Sequence, residues 1–593
     1  MVSQKPQIVI IGAGIAGLTA AKKLYATQNS NELFELCVVE GGNRIGGRIF
    51  TTEFCGDRVE MGATWIHGIE GNPIYKIAQE INGFETDDKP WDSMGGKVDK
   101  KVTITEDGHE VHSSLVNSVS NFFNSLLEFS SGEGDFDGGV GRKIVESLNL
   151  EENGGVDKIS MGSYLRKGLE FYWGLKKDQE NVESFNLENV GVGKDQENVE
   201  SFNLDNGGVE EVQENVESFN FDDSGIEKDQ ENVESFDLEN VGIEKDQENV
   251  EVFENWSRKA LEEGIFAMFE NIHRHYSSAG DLGTLDFNGE SEYCNFPGDE
   301  ITIAKGYSSV VESLASVLPP GLIQLGRKVS KIEWQLENSD GNKPVKLHFS
   351  DGSVMYADHV IVTVSLGVLK QGLREDSSLF SPPLPKFKTE AISKLGFGVV
   401  DKVFLQLSPT HHDGINFPNM MMIFHQSNPK LKNPKIPLWI RRTTLTHPVY
   451  PESRVVVSWF AGEEALKVET LDDEEIIEGV SITMSEFLAN TKHFKNSIKF
   501  SKVLKCKWGT DPLFLGSYTH IAVGSSGDDL DAMAEPLPKE ISDDKNSKKS
   551  PRLQVLFAGE ATSRNYYSTT HGAYLTGLRE ANRLLEHFQC VDV

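Results

Sequence analysis

The chain opens on an apolar run, Pro6-Gln7-Ile8-Val9-Ile10-Ile11, that stops at Gly12-Ala13-Gly14-Ile15-Ala16-Gly17. A helical pattern follows over 18–24, and a second apolar run, Leu36-Cys37-Val38-Val39, ends in Glu40. Short apolar runs bounded by turn residues predict buried strands, so the order is strand, glycine turn, helix, strand, acid. In that context each glycine has a task. Gly12 permits the tight turn, Gly14 lets backbone N–H groups approach a pyrophosphate, and Gly17 lets the helix pack on the strand. Glu40 is placed to accept hydrogen bonds from ribose hydroxyls. The pattern predicts a Rossmann-type dinucleotide site whose turn residues include Ala16.

The same patterning recurs further on. Segments 161–166 and 256–275 read as helix, and Lys305-Gly306-Tyr307 opens a helix over 308–317. Strands are predicted at 323–325, 329–334, 345–349 and 359–364. Val555-Leu556-Phe557-Ala558-Gly559-Glu560 reads as a buried strand ending in a glycine and an acid, with a loop over 561–570 and a helix over 571–585. In Val400-Asp401-Lys402-Val403-Phe404, period two puts Lys402 on the same apolar face as Val400 and Phe404. Burying that charge is costly, which would drive its pKa down. A lysine on an edge strand with its head in water fits the pattern equally well.

Composition alters this picture in one region. Of the formal charge of −35 carried by 593 residues, −20 falls in 177–252, where 24 acids face 4 lysines. The unit KDQENVESFNLENVGVG starts at Lys177 and returns at Lys194, Glu211, Lys228 and Lys245, a period of 17 residues. Few apolar residues per unit and heavy like charge predict a solvated, disordered insertion, not a solenoid. An acidic binding arm is the other reading. The remainder is a mildly acidic chain, long enough for two or more domains. Its charge disfavours nucleic acid and anionic membrane as partners and favours cationic small molecules. Five scattered cysteines without a CxxC pair predict neither a disulfide framework nor a metal site. With no leader, long apolar span or peroxisomal tripeptide, a cytoplasmic location is expected.

Gly41-Gly42-Asn43-Arg44-Ile45-Gly46-Gly47-Arg48 sets a second glycine cluster and two arginines after Glu40, suited to an extended dinucleotide whose pyrophosphate needs further neutralisation. With Met61-Gly62-Ala63-Thr64-Trp65-Ile66-His67-Gly68, FAGEAT at 557–562 and HGAYLTGLREA at 571–581, the chain resembles the flavin-dependent amine oxidase family. It looks most like that family's polyamine oxidases of the spermine and thermospermine type, including plant cytosolic ones. The resemblance implies FAD, contacted by Gly12, Gly14, Ala16, Gly17, Glu40, Gly47, Arg48, Gly62, Ala63, Thr64, Trp65, Val329, Glu560, Thr570, Gly572 and Ala573. Ser517 stands where monoamine oxidases carry a flavin-linked cysteine, so the FAD is expected to be non-covalent. Lys402 matches the lysine that holds a water against the flavin. Tyr518 matches one of two aromatic walls around the amine, and Thr569 replaces the other. His67 is expected to hydrogen-bond a substrate amino group, and Glu292 to sit along a substrate tunnel. His571 reads as a helix-start residue behind the site.

The expected fold is α/β. A Rossmann-type FAD-binding domain (1–88, 301–394, 520–593) is interleaved with an α+β substrate domain (89–300, 395–519), a mixed sheet flanked by helices, and the acidic repeat is inserted in the latter. The expected reaction oxidises a spermine- or thermospermine-like polyamine at a carbon next to a secondary amine. O2 is the acceptor, and the products are a shorter polyamine, an aminoaldehyde and H2O2. Its partners are then a small polyamine and O2, with no nucleic acid, membrane or metal. The oligomeric state is open, with a monomer favoured. A histone-lysine demethylase shares the chemistry but adds a helical N-terminal domain and a coiled-coil insertion, whereas the repeat here lacks heptads. A flavin-binding scaffold that recruits partners through the repeat is the alternative of a different class.

Overall fold

The structure is a computed structural model that describes residues 5–27, 30–85, 101–132, 140–152, 159–190, 253, 255–336, 343–375, 377–408, 417–426, 429–491, 498–539 and 553–588. It is a mixed α/β molecule. Five strands form a parallel sheet in the order Val555–Phe557, His359–Val362, Gln7–Ile11, Glu35–Val39, Ile323–Gln324. Both faces are covered, which is why these strands are continuously apolar and not alternating. Ile8 and Ile10 pack among helices on one side, while Val9 and Ile11 join Ile332, Val345 and Leu347 of a small four-stranded sheet on the other. On the helical side, Ile15–Tyr25 lies against the C-terminal helix Thr570–His587. A Cβ on Gly577 would stand 2.2 Å from the Ala16 carbonyl oxygen, so a glycine is what allows this approach.

A second, six-stranded sheet runs Phe500–Lys505, Val400–Leu407, Val455–Ala461, Leu445–Pro448, Asn419–Ile423, Lys101–Thr105. Its pairs are antiparallel except the last, which is parallel. Residues of one face, among them Val403, Leu405, Val456, Met420 and Ile104, pack under the helices Glu463–Thr470 and Asp473–Leu488. The other face carries Lys402. Helices Ser113–Ser131, Met161–Val190 and Arg258–Ser277 form a further apolar cluster, which reaches this sheet through Met421 and Ile423.

Most sequence boundaries hold to within a few residues, and the differences have local causes. The strand expected over 359–364 ends at Val362. The last helix begins at Thr570 because the Thr569 hydroxyl caps it, accepting from the Gly572 N–H at 2.9 Å. The acidic repeat is not irregular throughout: helix Met161–Val190 carries the backbone well into the first unit, where no glycine or proline intervenes between Gly174 and Gly191. Residues 191–252 lie outside the described residues. Cys37, Cys55, Cys294 and Cys506 are free, and among the described residues no helix is long and apolar enough to cross a membrane.

Period two turns Asp401 to the face opposite Lys402, where it is fully buried. The Trp508 N–H reaches Oδ1 at 3.3 Å, and among the described residues no donor reaches Oδ2. Burial, and then the neighbouring Glu469 carboxylate, push Asp401 up to about 9. The folded state therefore holds a proton that the unfolded chain releases above the ordinary aspartate range, so this group costs stability progressively as pH rises toward 9. Asp401→Asn keeps the shape without that cost. Its melting temperature should exceed the wild type's at pH 8, with a gap that widens from pH 5 to 9. A gap independent of pH would contradict the protonated carboxyl.

Candidate functional site

A cavity of about 1060 Å³ extends from the first glycine turn to the Lys402 face of the mixed sheet. At its head, Gly12 has φ +108°, and a Cβ there would lie 2.4 Å from the Thr363 hydroxyl. A Cβ on Gly17 would meet the Gly12 carbonyl oxygen at 2.0 Å, so this residue serves packing and does not line the cavity. Gly14 is different: its missing side chain faces open space, with Gly46 O the nearest atom at 4.0 Å. Gly14, Ile15 and Ala16 thus present the first turn of a helix to the cavity, where its unpaired N–H groups suit a phosphate. Glu40 also lines this end, accepting from the N–H groups of Ala13 and Gly42, each at 2.7 Å. Each carboxylate oxygen has a second lone pair available for ribose hydroxyls.

The second glycine turn holds one surprise. Arg44, read from the sequence as neutralising a pyrophosphate, donates to the carbonyls of Ile45, Gly47 and Ile49 and braces the turn itself. Gly47 and Arg48 line the cavity. Arg48 is bonded to Glu560 at 2.9 Å and to the Ser517 carbonyl at 2.8 Å. Glu560 in turn accepts from the Thr519 hydroxyl at 3.0 Å and the Ser568 N–H at 3.0 Å. It reaches the cavity, but its carboxylate is largely engaged by protein donors. Val329, Thr570 and Ala573 line the cavity as well, whereas Gly572 does not; a Cβ on Gly572 would stand 1.9 Å from the Tyr566 carbonyl oxygen.

Gly62, Ala63, Thr64, Trp65 and His67 form one wall. A Cβ on Gly62 would meet Arg48 O at 1.7 Å, so the segment is pressed against the glycine turn. Lys402 joins this wall to the mixed sheet. Its Nζ lies 2.7 Å from Glu60 O, 2.6 Å from Gly62 O and 2.5 Å from the Thr64 hydroxyl, and 4.6 Å from the centre of the Trp459 ring. Burial pushes Lys402 down to about 8. An ammonium can donate to all three oxygens, and a neutral amine can donate to two and accept from Thr64. Either protonation state satisfies the same geometry.

Tyr518 lines the cavity with its hydroxyl donated to the His275 carbonyl, and burial raises its pKa. Thr569 faces the cavity, yet its hydroxyl is committed to the helix cap and to Tyr566 O. His571 is buried behind the wall against Phe296 and Tyr566, and burial drives it down to about 3. Ser517 Oγ is engaged with the Val400 N–H at 2.8 Å and carbonyl at 2.9 Å.

Glu292 is not where the sequence put it. It forms a two-pronged ion pair with Arg564, at 2.8 and 3.0 Å, and does not line the cavity. The short 3-10 helix Asn288–Glu292 explains this, since a two-residue step at three residues per turn points Glu290 and Glu292 in different directions. Glu290 faces the cavity, 3.6 Å from His273. Glu300 faces it too, 2.6 Å from His67 Nδ1, and the hydrogen bond from His67 holds its carboxyl below the usual range. With that bond donated from Nδ1–H, a neutral His67 carries its lone pair on Nε2. The sequence signal for Glu300 was only an acid shortly after Pro297-Gly298; nothing local distinguished it from Glu292.

The glycine end of the cavity therefore fits a dinucleotide. Comparison with known proteins agrees. Residues 15–585 match the family described as "Flavin containing amine oxidoreductase". The chain is 46% identical to "Probable polyamine oxidase 5" of Arabidopsis thaliana and 37% identical to "Polyamine oxidase 1" of Oryza sativa subsp. japonica, with 99% of each chain covered in both pairs. It is 27% identical to the human "Peroxisomal N(1)-acetyl-spermine/spermidine oxidase" over 98% of this chain and 95% of that one. The chain belongs to the flavin-containing amine oxidoreductases and is an enzyme whose cofactor is FAD.

Proposed function

We propose that this enzyme is a polyamine oxidase acting on spermine- or thermospermine-like substrates at a carbon next to a secondary amine. Polyamine, O2 and water would give a shorter polyamine, an aminoaldehyde and H2O2. The observation that carries the reading is the pair of carboxylates, Glu290 and Glu300, lining the same cavity as Lys402 and Tyr518. A polyamine must present one neutral nitrogen for oxidation while its other nitrogens stay cationic, and separate carboxylates suit that division of charge. The full-length likeness to two plant polyamine oxidases supports the same substrate class.

FAD, when bound, would supply the two-electron oxidising capacity that the substrate carbon requires. In this reading Gly12, Gly14, Ala16 and Glu40 hold its adenosine and pyrophosphate, with Val329 and Gly47 beside them. Arg48, Gly62, Ala63, Thr64, Trp65, Glu560, Thr570 and Ala573 hold the remainder, and Gly17 and Gly572 permit the packing behind it. Ser517 forms no covalent link. Lys402 orients a water at the reacting end by exchanging its bond to Thr64 for one to that water, and Tyr518 with Thr569 confines the amine. His67, its Nδ1–H fixed by Glu300, accepts from a substrate amino group through Nε2. The five-stranded sheet belongs to the FAD domain and the mixed sheet to the substrate domain, in a cytosolic protein.

Incubating the purified enzyme with spermine, thermospermine, spermidine and their N-acetylated forms should yield H2O2 together with a shortened amine. Oxidation of simple monoamines alone would overturn the polyamine reading. Lys402→Met should retain FAD but slow turnover by roughly ten-fold or more, as expected when a proton-handling or water-orienting group is lost. Separate measurement of flavin reduction and reoxidation locates the defect, and unchanged rates in both would remove Lys402 from the chemistry. His67→Ala should raise KM for polyamines, since the Nε2 acceptor that Glu300 orients is lost; a wild-type KM would leave His67 a packing residue.

A further inference from the structure

The register of the mixed sheet defines the floor of the cavity residue by residue. Lys402 stands opposite Trp459, and Phe404 opposite Val457. Val457 stands opposite His447, the neighbouring strand brings Leu445 opposite Met421, and Asn419 stands opposite Lys101. Directly paired residues share a face, and alternate residues along each strand return to it. Lys402, Trp459, Val457, His447, Leu445, Met421, Asn419 and Lys101 therefore lie on one face, and all of them line the cavity. Lysines mark its two ends.

The two differ in kind. Lys402 is buried and bonded to three oxygens. Lys101 sits on the edge strand, exposed, and among the described residues its amine has no hydrogen bond or ion pair. Its charge is felt at His447, which burial and then Lys101 push down to about 4. Four interstrand steps separate the two strands, a span of roughly 19 Å at about 4.8 Å per step. Glu300 is bonded to His67, on the wall that Lys402 meets through Thr64.

We propose that Lys101 is a specificity-determining residue, a cation at the far end of the substrate groove that disfavours a distal ammonium and favours substrates whose distal end is short or uncharged. This rests on the polyamine oxidase reading above. A substrate nitrogen within a Debye length of Lys101, roughly 8 Å at physiological salt, is repelled, while a neutral acylated nitrogen at the same place is not. At an exposed site the effect is modest, about three- to ten-fold in kcat/KM.

The test uses the full-length FAD-loaded enzyme and a series from triamine to penta-amine, each with and without an acetyl group on the distal nitrogen. Wild type, Lys101→Arg, Lys101→Met and Lys101→Glu are compared by kcat/KM and by binding under anaerobic conditions. The ratio of free to acetylated substrate should rise about three- to ten-fold in Lys101→Glu and less in Lys101→Met, with Lys101→Arg like wild type. The change should grow with chain length and shrink as salt is raised, which a packing defect would not do. Wild-type oxidation of polyamines with a ratio unchanged in Lys101→Glu would overturn the role of Lys101 alone. A wild-type enzyme that neither binds nor oxidises any of the series would overturn this role and the polyamine reading together.

Discussion

One buried carboxylate ties together the parts of the chain that make the site. Glu560 accepts from Arg48, Thr519 and Ser568, which come from the second glycine turn, the Tyr518 strand and the loop before the last helix. Arg48 extends the link through the Ser517 carbonyl and, by its own carbonyl, to the Ala63 N–H. Removing a carboxylate from water is costly unless its oxygens find donors, and here several segments must be in place together to supply them. The cavity walls are therefore coupled: a chain that satisfies Glu560 has also brought Gly62 to Tyr518 into range of one another.

Lys402 acts on the opposite side with the signs reversed. A buried amine needs acceptors, and the carbonyls of Glu60 and Gly62 provide them only when the Glu60–Thr64 backbone lies over the mixed sheet. The requirement that holds the wall in place also depresses the amine's proton affinity, since burial is the larger influence. Structural and chemical roles are combined in one side chain, and both rest on the strand's period of two. A one-residue slip would exchange Lys402 for Asp401, turning an acid into the cavity and the amine under the helices.

Charge along the cavity follows from register in the same way. Glu290 and Glu300 enter from irregular segments, while Lys101 enters from the edge of a regular sheet. Carboxylates and lysines thus reach one cavity from separate parts of the chain.

The sequence alone determined the features that depend on neighbours in the chain. The strand, glycine turn, helix and acid from Ile8 to Glu40 were legible because φ at Gly12, close packing at Gly17 and burial of each strand are demands on adjacent residues. The placement of Lys402 on an apolar face was legible from period two, and likeness to the family supplied roles for Tyr518 and Thr569. What required tertiary structure was every choice among equivalent groups. Glu290, Glu292 and Glu300 are alike locally, and only the phase of a 3-10 turn and the presence of Arg564 send Glu292 away from the cavity. Arg44 and Arg48 are likewise alike, yet backbone carbonyls capture one and Glu560 the other. Lys101 stood near no motif. It joins the cavity because five strands between residues 101 and 461 pair in one register, and long-range pairing is not written in any short stretch of the chain.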